Sequence, residues 1–195
     1  MVTAVHAADT STMEYTKEFV SGDYPLKEYI EKFVDVEQFL PYCEECPNYG
    51  RIWSCPPYDF NPMDIWKAYD TIHVEGTIIR FPEEETLIER TKEEIFEIEK
   101  DVCEKEKQLI ADKLLAMEDE KSISLSAGTC LNCKSCTRPE GKPCVHPEIM
   151  RYSIESLGGN VGLTCSKLLG IELEWVTEGY LPKTLTLISA LLIKD

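Results

Sequence analysis

The sequence predicts an α+β fold: a small β-sheet covered by helices, one of them long, with two cysteine-rich loops at the edge of the sheet. Three observations predict it. Apolar and β-branched runs of strand length recur at 71–81, 122–127 and 185–193. An amphipathic stretch of unusual length lies between the first two. Seven of the nine cysteines fall in two short segments, 43–57 and 130–147, that are punctuated by proline and glycine.

Taken in order, residues 1–12 read as a loose leader with neither a basic n-region nor a sustained apolar h-region, so no secretory signal is expected. The first helix is expected over 24–34: Leu26, Tyr29, Ile30, Phe33 and Val34 recur at helical spacing, with Asp23 as a cap and Pro25 in the first turn. A second helical turn, 36–40, should stop at Pro41. The run 71–81 is a strand. Pro82 with Glu83, Glu84 and Glu85 then opens the long helix, the carboxylates lying against the positive end of its dipole. Its apolar stripe is expected through Ile88, Ile95, Val102, Leu109, Leu114 and Met117. A strand over 122–127 delivers the chain to the second cysteine segment. Helices are expected over 148–157 and 161–169, parted by Gly158 and Gly159, and strands over 171–175 and 185–193. Residues 13–195 thus form one domain, with no internal repeat beyond the two cysteine segments.

Composition narrows the function. Of 195 residues, 36 are Asp or Glu and 20 are Lys or Arg, a formal charge of −16. Phosphate neutralisation needs clustered cations, and no basic stripe exists, so nucleic acid is not an expected partner. The longest apolar run, 185–193, is interrupted by Thr186 and Ser189 and is too short to cross a bilayer, so direct membrane insertion is not expected either. Without a secretory signal, nine cysteines point to reduced thiols in a cytoplasmic setting, and to metal or redox chemistry more than to a disulfide framework.

The second segment reads Cys130-Leu-Asn-Cys133-Lys-Ser-Cys136, with Cys144 eight residues further on. Two-residue steps turn successive sulfurs toward one centre, and ferredoxins open with the same spacing around a [4Fe–4S] cluster. The first segment, Cys43-Glu-Glu-Cys46 followed by Cys55 in Trp53-Ser54-Cys55-Pro56-Pro57, supplies only three thiolates. Either its cluster keeps an iron without a thiolate, or Cys144 is lent to it, leaving Cys130, Cys133 and Cys136 open. One or two [4Fe–4S] clusters on Cys43, Cys46, Cys55, Cys130, Cys133, Cys136 and Cys144 are therefore expected. Structural zinc is the alternative, because it takes the same ligand type.

The remaining candidates weigh less. Cys103 and Cys165 read as packed core thiols on helices, with a fourth-ligand role as the alternative for Cys165. His146 stands as a ligand or, more simply, as a cap ahead of Pro147; His73 reads as a strand histidine, and His6 lies in the leader. Tyr49, Trp53 and Tyr58 would shield the first segment and shift a cluster's potential. Arg51 and Arg138 lie beside the two segments and would offset cluster charge. No dinucleotide-binding, Walker, nucleophile-elbow or zincin motif is present, and the first three cysteines lack the radical-SAM spacing.

At Cys46-Pro-Asn-Tyr-Gly50, Trp53-Ser-Cys55-Pro-Pro57 and Cys144-Val-His146-Pro147 with Arg151-Tyr-Ser153, the sequence resembles a family of small, cysteine-rich prokaryotic proteins of unknown function that are predicted to bind metal. The resemblance implies that the same seven cysteines are the metal-binding set, and a home in anaerobes and methanogens suits an oxygen-sensitive cluster. It supplies no reaction. Three functions follow as expectations: an electron-transfer or redox-sensing iron–sulfur accessory that docks on a larger protein complex, an enzyme using an open iron, or a zinc-stapled interaction module.

Overall fold

The computed structural model describes residues 13–175, 177 and 179–195; the expected leader and His6 lie outside them. Four antiparallel strands, β1 (Thr16–Pro25), β2 (Thr71–Arg80), β3 (Ser122–Leu125) and β4 (Thr184–Ile193), pair in the order β1-β2-β4-β3. Helices are α1 (Leu26–Phe33), α2 (Val36–Glu44), α3 (Pro62–Trp66), α4 (Glu83–Thr86), α5 (Lys92–Met117) and α6 (Val161–Leu163), the last continuing as a π-wound segment, Thr164–Leu169. The fold class is α+β.

Alternation along the two central strands explains the layers. Ile72 and Val74 of β2 share one face with Ile188, Ala190 and Leu192 of β4, in register Ile72↔Leu192 and Val74↔Ala190. That face is covered by Leu26, Tyr29 and Phe33 of α1, Trp66 of α3, and Cys165 and Leu169 of the π-wound segment. The odd-numbered face, with Ile79 and Leu187, packs on α5 through Ile95, Ile98, Val102, Ile110 and Leu114. Trp66 is fully buried and donates its indole N–H to the Leu157 carbonyl at 3.0 Å.

Several expectations are corrected. β1 was not foreseen, and it takes Tyr24 and Pro25 from the expected first helix, so Asp23 pairs with His73 across the strands at 2.7 Å instead of capping. Its side chains are mostly exposed, which is why it carries no apolar alternation to read. α2 runs past Pro41 to Glu44, because on a helix with no buried residue the lost hydrogen bond is left to water; Cys43 therefore rides on a helix. The long helix does not open at Pro82. The Thr91 hydroxyl accepts from Glu94 N while the Glu94 carboxylate accepts from Thr91 N, a reciprocal cap that starts α5 nine residues later. Its buried stripe passes through Glu106, which accepts from the Tyr15 hydroxyl at 2.6 Å and Lys17 at 2.8 Å, so Leu109 and Met117 stay exposed, and Ile88 falls before the helix and is exposed too.

The third strand ends at Leu125. Beyond it, Ser126 bridges in parallel to Ser153 and takes the Tyr152 carbonyl at 2.8 Å. That extended pairing prevents the expected helix over 148–157, of which only a 3₁₀ turn, Glu155–Leu157, forms. The helix expected over 161–169 forms, with its π winding, and Gly170 ends it. Residues 171–175 carry no ladder: Ile171 drops into the core while Trp175 is exposed.

One ion pair ties these pieces together. Arg151 grips Glu118, at the end of α5, through Nε at 2.7 Å and Nη2 at 2.6 Å, and Ser124 N and Oγ donate to the same carboxylate. Burial pushes the Glu118 carboxyl up, but the Arg151 and Ser124 hydrogen bonds outweigh it, and the net shift is down. A carboxyl lowered by folding stabilises the fold fully above its unfolded value near 4.5, and that contribution is lost as pH falls through the folded value. Glu118→Gln should therefore flatten the loss of stability below about pH 4.5 in urea melts; an acid slope identical to that of the unsubstituted protein would contradict this.

Candidate metal centre

Each cysteine segment is positioned by the elements around it. Cys43 sits on the last turn of α2, and Cys46, on the turn that follows, gives its N–H to the Cys43 carbonyl at 3.0 Å. Cys55 lies nine residues on, in a chain reversal closed by Gly50 N to Pro56 O at 2.8 Å. Cys130 follows β3 by way of Ser126 to Thr129, with Cys133, Cys136 and Cys144 beyond it. Cys46 is exposed, and the other six are half-buried with free thiols.

The sulfurs sort into three and four. Cys130, Cys133, Cys136 and Cys144 line one cleft together, whereas Cys43 lines a different cavity. Cys144 thus lies with the second segment. Burial pushes the Cys43, Cys55 and Cys130 thiols up; the Thr129 and Ser54 hydroxyls partly offset this at Cys55. Among the described residues, no three His, Cys, Asp or Glu side chains are gathered tightly enough to grip a metal ion as they stand.

The two segments are bolted to each other. Ser54 Oγ accepts from Cys130 N at 3.1 Å, and Cys55 Sγ lies 3.7 Å from Thr129 Oγ1, so residues 54–55 run beside 129–130. Arg138 donates to the carbonyls of Ile52 at 2.8 Å, Cys55 and Pro57, and its guanidinium stands 5.1 Å from the centre of the Trp53 ring. Trp53 Nε1 in turn donates to Lys142 O at 3.2 Å. Arg138 therefore clamps one loop to the other. Tyr58 donates to Ser54 O at 2.8 Å and stacks on Phe60, packing the first loop against the core.

A cleft of about 900 Å³ opens over the second segment, lined by Cys130, Cys133, Cys136 and Cys144 on one side and by α5 on the other. Arg51, Lys100, Lys107 and Lys134 face it against Glu99 and Glu104, a local excess of cations in a chain of charge −16. Cys103 lines this cleft and is half-buried, so it is not the fully packed thiol expected; Cys165 is wholly buried in the core. His146 also lines the cleft and starts no helix: its carbonyl accepts from Met150 N at 3.0 Å in a turn.

One residue at the centre was missed. Glu155 is half-buried and shares a cavity of about 180 Å³ with Cys43, and its charge is felt at both Cys43 and Cys55. Burial pushes its carboxyl up, against the Ser153 hydrogen bond and the Lys107 charge. It lies beside Gly128, whose φ of +81° favours glycine and where a Cβ would stand 3.2 Å from Lys107 Nζ and 3.7 Å from Glu155 Oε1. In sequence Glu155 is one acidic residue among 36, with no spacing to mark it.

Seven half-buried or exposed thiols in two joined loops, on an α+β scaffold, define a cysteine-rich protein equipped for soft metals; the donor set fits both iron–sulfur clusters and zinc. The chain belongs to the family described as "Predicted metal-binding protein (DUF2284)", whose model matches residues 30–193. Comparison with curated proteins and with solved structures finds no match. Among the described residues, no helix is long and apolar enough to cross a membrane.

Proposed function

We propose that this chain is a small cytoplasmic iron–sulfur protein that carries electrons for, or reports redox state to, a larger protein complex on which it docks. The observation that supports it most is the joined pair of sulfur groups. Cys130, Cys133, Cys136 and Cys144 would hold one [4Fe–4S] cluster, and Cys43, Cys46 and Cys55 a second. Bound clusters would supply one-electron redox chemistry.

The chain's own residues serve that role in three ways. Ser54 and Thr129 keep the two loops side by side, which suits electron passage between neighbouring centres. Hydroxyls and backbone N–H groups near sulfur, and the cations of the cleft, favour the more reduced state by stabilising negative charge. Tyr58, Phe60 and Tyr152 pack behind the first loop and keep water from that side.

The test is spectroscopic. Protein purified and handled without air should bleach in the visible on adding dithionite and recover on reoxidation, with a paramagnetic signal in the reduced form. Cys130→Ser combined with Cys133→Ser should remove about half of that change. A chain that holds iron but shows no reversible reduction, and retains no protein in an anaerobic pulldown, would eliminate the electron-transfer reading.

A further inference from the structure

Resting on the iron–sulfur reading above, we propose that the carboxylate of Glu155 is the fourth protein ligand of the cluster held by Cys43, Cys46 and Cys55. A cubane has four corners, and the first segment offers three thiolates. The sulfur that the sequence left free to complete it, Cys144, lines the cleft of Cys130, Cys133 and Cys136 in the other group. The chain therefore meets the remaining corner with something else.

Glu155 is the side chain placed to do so. It lines the same cavity as Cys43, and its charge reaches Cys43 and Cys55 together. Its Oε1 lies against Gly128, and the next residue, Thr129, contacts the Cys55 sulfur at 3.7 Å. The backbone that bears it is fixed to the helix that bears Cys43. Asp35 N, at the start of α2, donates to Gly158 O at 2.9 Å, and Gly158 lies so close to Val36 that a Cβ would stand 2.6 Å from Val36 Cα. The 3₁₀ turn Glu155–Leu157 and α2 thus move as one piece, which holds a carboxylate and a thiol at a set separation. The cavity that Glu155 shares with Cys43 is otherwise lined mainly by apolar and aromatic side chains, so an iron corner would meet no other charged group there. Binding forms one Fe–O bond, and the carboxyl proton, where present, leaves to solvent; no electron moves.

The experiment compares the unsubstituted protein with Glu155→Gln and Glu155→Cys, all purified without air, by iron and sulfide analysis and paramagnetic resonance before and after one equivalent of ferricyanide. A corner without a protein ligand is released on mild oxidation: [4Fe–4S]²⁺ gives [3Fe–4S]⁺ and Fe²⁺, and the electron goes to ferricyanide. Glu155→Gln should lose about one iron per chain in this way and show the three-iron signal, whereas Glu155→Cys should keep that iron and shift the reduced spectrum. Identical iron loss and identical spectra in all three proteins would overturn the assignment while leaving the clusters in place. Unsubstituted protein with zinc and no sulfide would overturn the assignment and the iron–sulfur reading together. Circular dichroism of Glu155→Cys, matched to that of the parent, separates loss of ligand from loss of fold.

Discussion

Gly158→Ala should cost about 3–5 kcal/mol, the scale of the most damaging single substitutions, and lower Tm by roughly 10 °C or more. The added Cβ would meet Val36 Cα at 2.6 Å and Val36 N at 3.0 Å, and these are backbone atoms that cannot turn aside. The residue also sits at φ +83°, where a side chain adds about 1 kcal/mol of strain. Relief requires the 3₁₀ turn to separate from α2, so the variant should also lose iron from the first cysteine group before the second. A thermal melt within about 2 °C of the parent would show that the two elements are less tightly joined than described.

Arg138→Ala should cost about 3 kcal/mol, because charge-assisted hydrogen bonds to three carbonyls and a stacking contact on Trp53 are lost at once. Arg138→Lys should recover little of this, since an ammonium cannot fork to Ile52, Cys55 and Pro57 while lying on an indole face. The sign of the functional effect follows from the geometry. With the clamp gone, the hydrogen bond between Cys130 N and Ser54 carries the junction, so both cysteine groups should lose metal faster to a chelator. Stability and chelation rates equal to the parent's would show that Arg138 is only a surface residue.

Much of this fold was legible because its cause is local. The strands at 71–81 and 185–193 are central in the sheet and largely buried, so their β-branched runs announce them. β1 was hidden for the opposite reason: Glu18 and Phe19 are exposed on an edge strand, and its partner β2 lies far along the chain, from Thr16↔Arg80 to Pro25↔Thr71. The stripe of α5 was misread at Glu106, whose burial depends on Tyr15 and Lys17 from β1, an element the sequence does not signal. The cysteine spacings were legible as two separate groups, and the structure keeps them in two loops that lie side by side. The partition into three and four, the clamp made by Arg138, and the position of Glu155 depend on how distant segments meet, and no local pattern encodes that.

The central claim is that these thiolates hold iron with inorganic sulfide. Its most direct measurement is the content of iron, labile sulfide and zinc per chain in protein purified without air. Iron and sulfide are expected in near-equal amounts, about four to eight of each per chain, with little zinc. Zinc without sulfide, or a chain free of both metals, would contradict it.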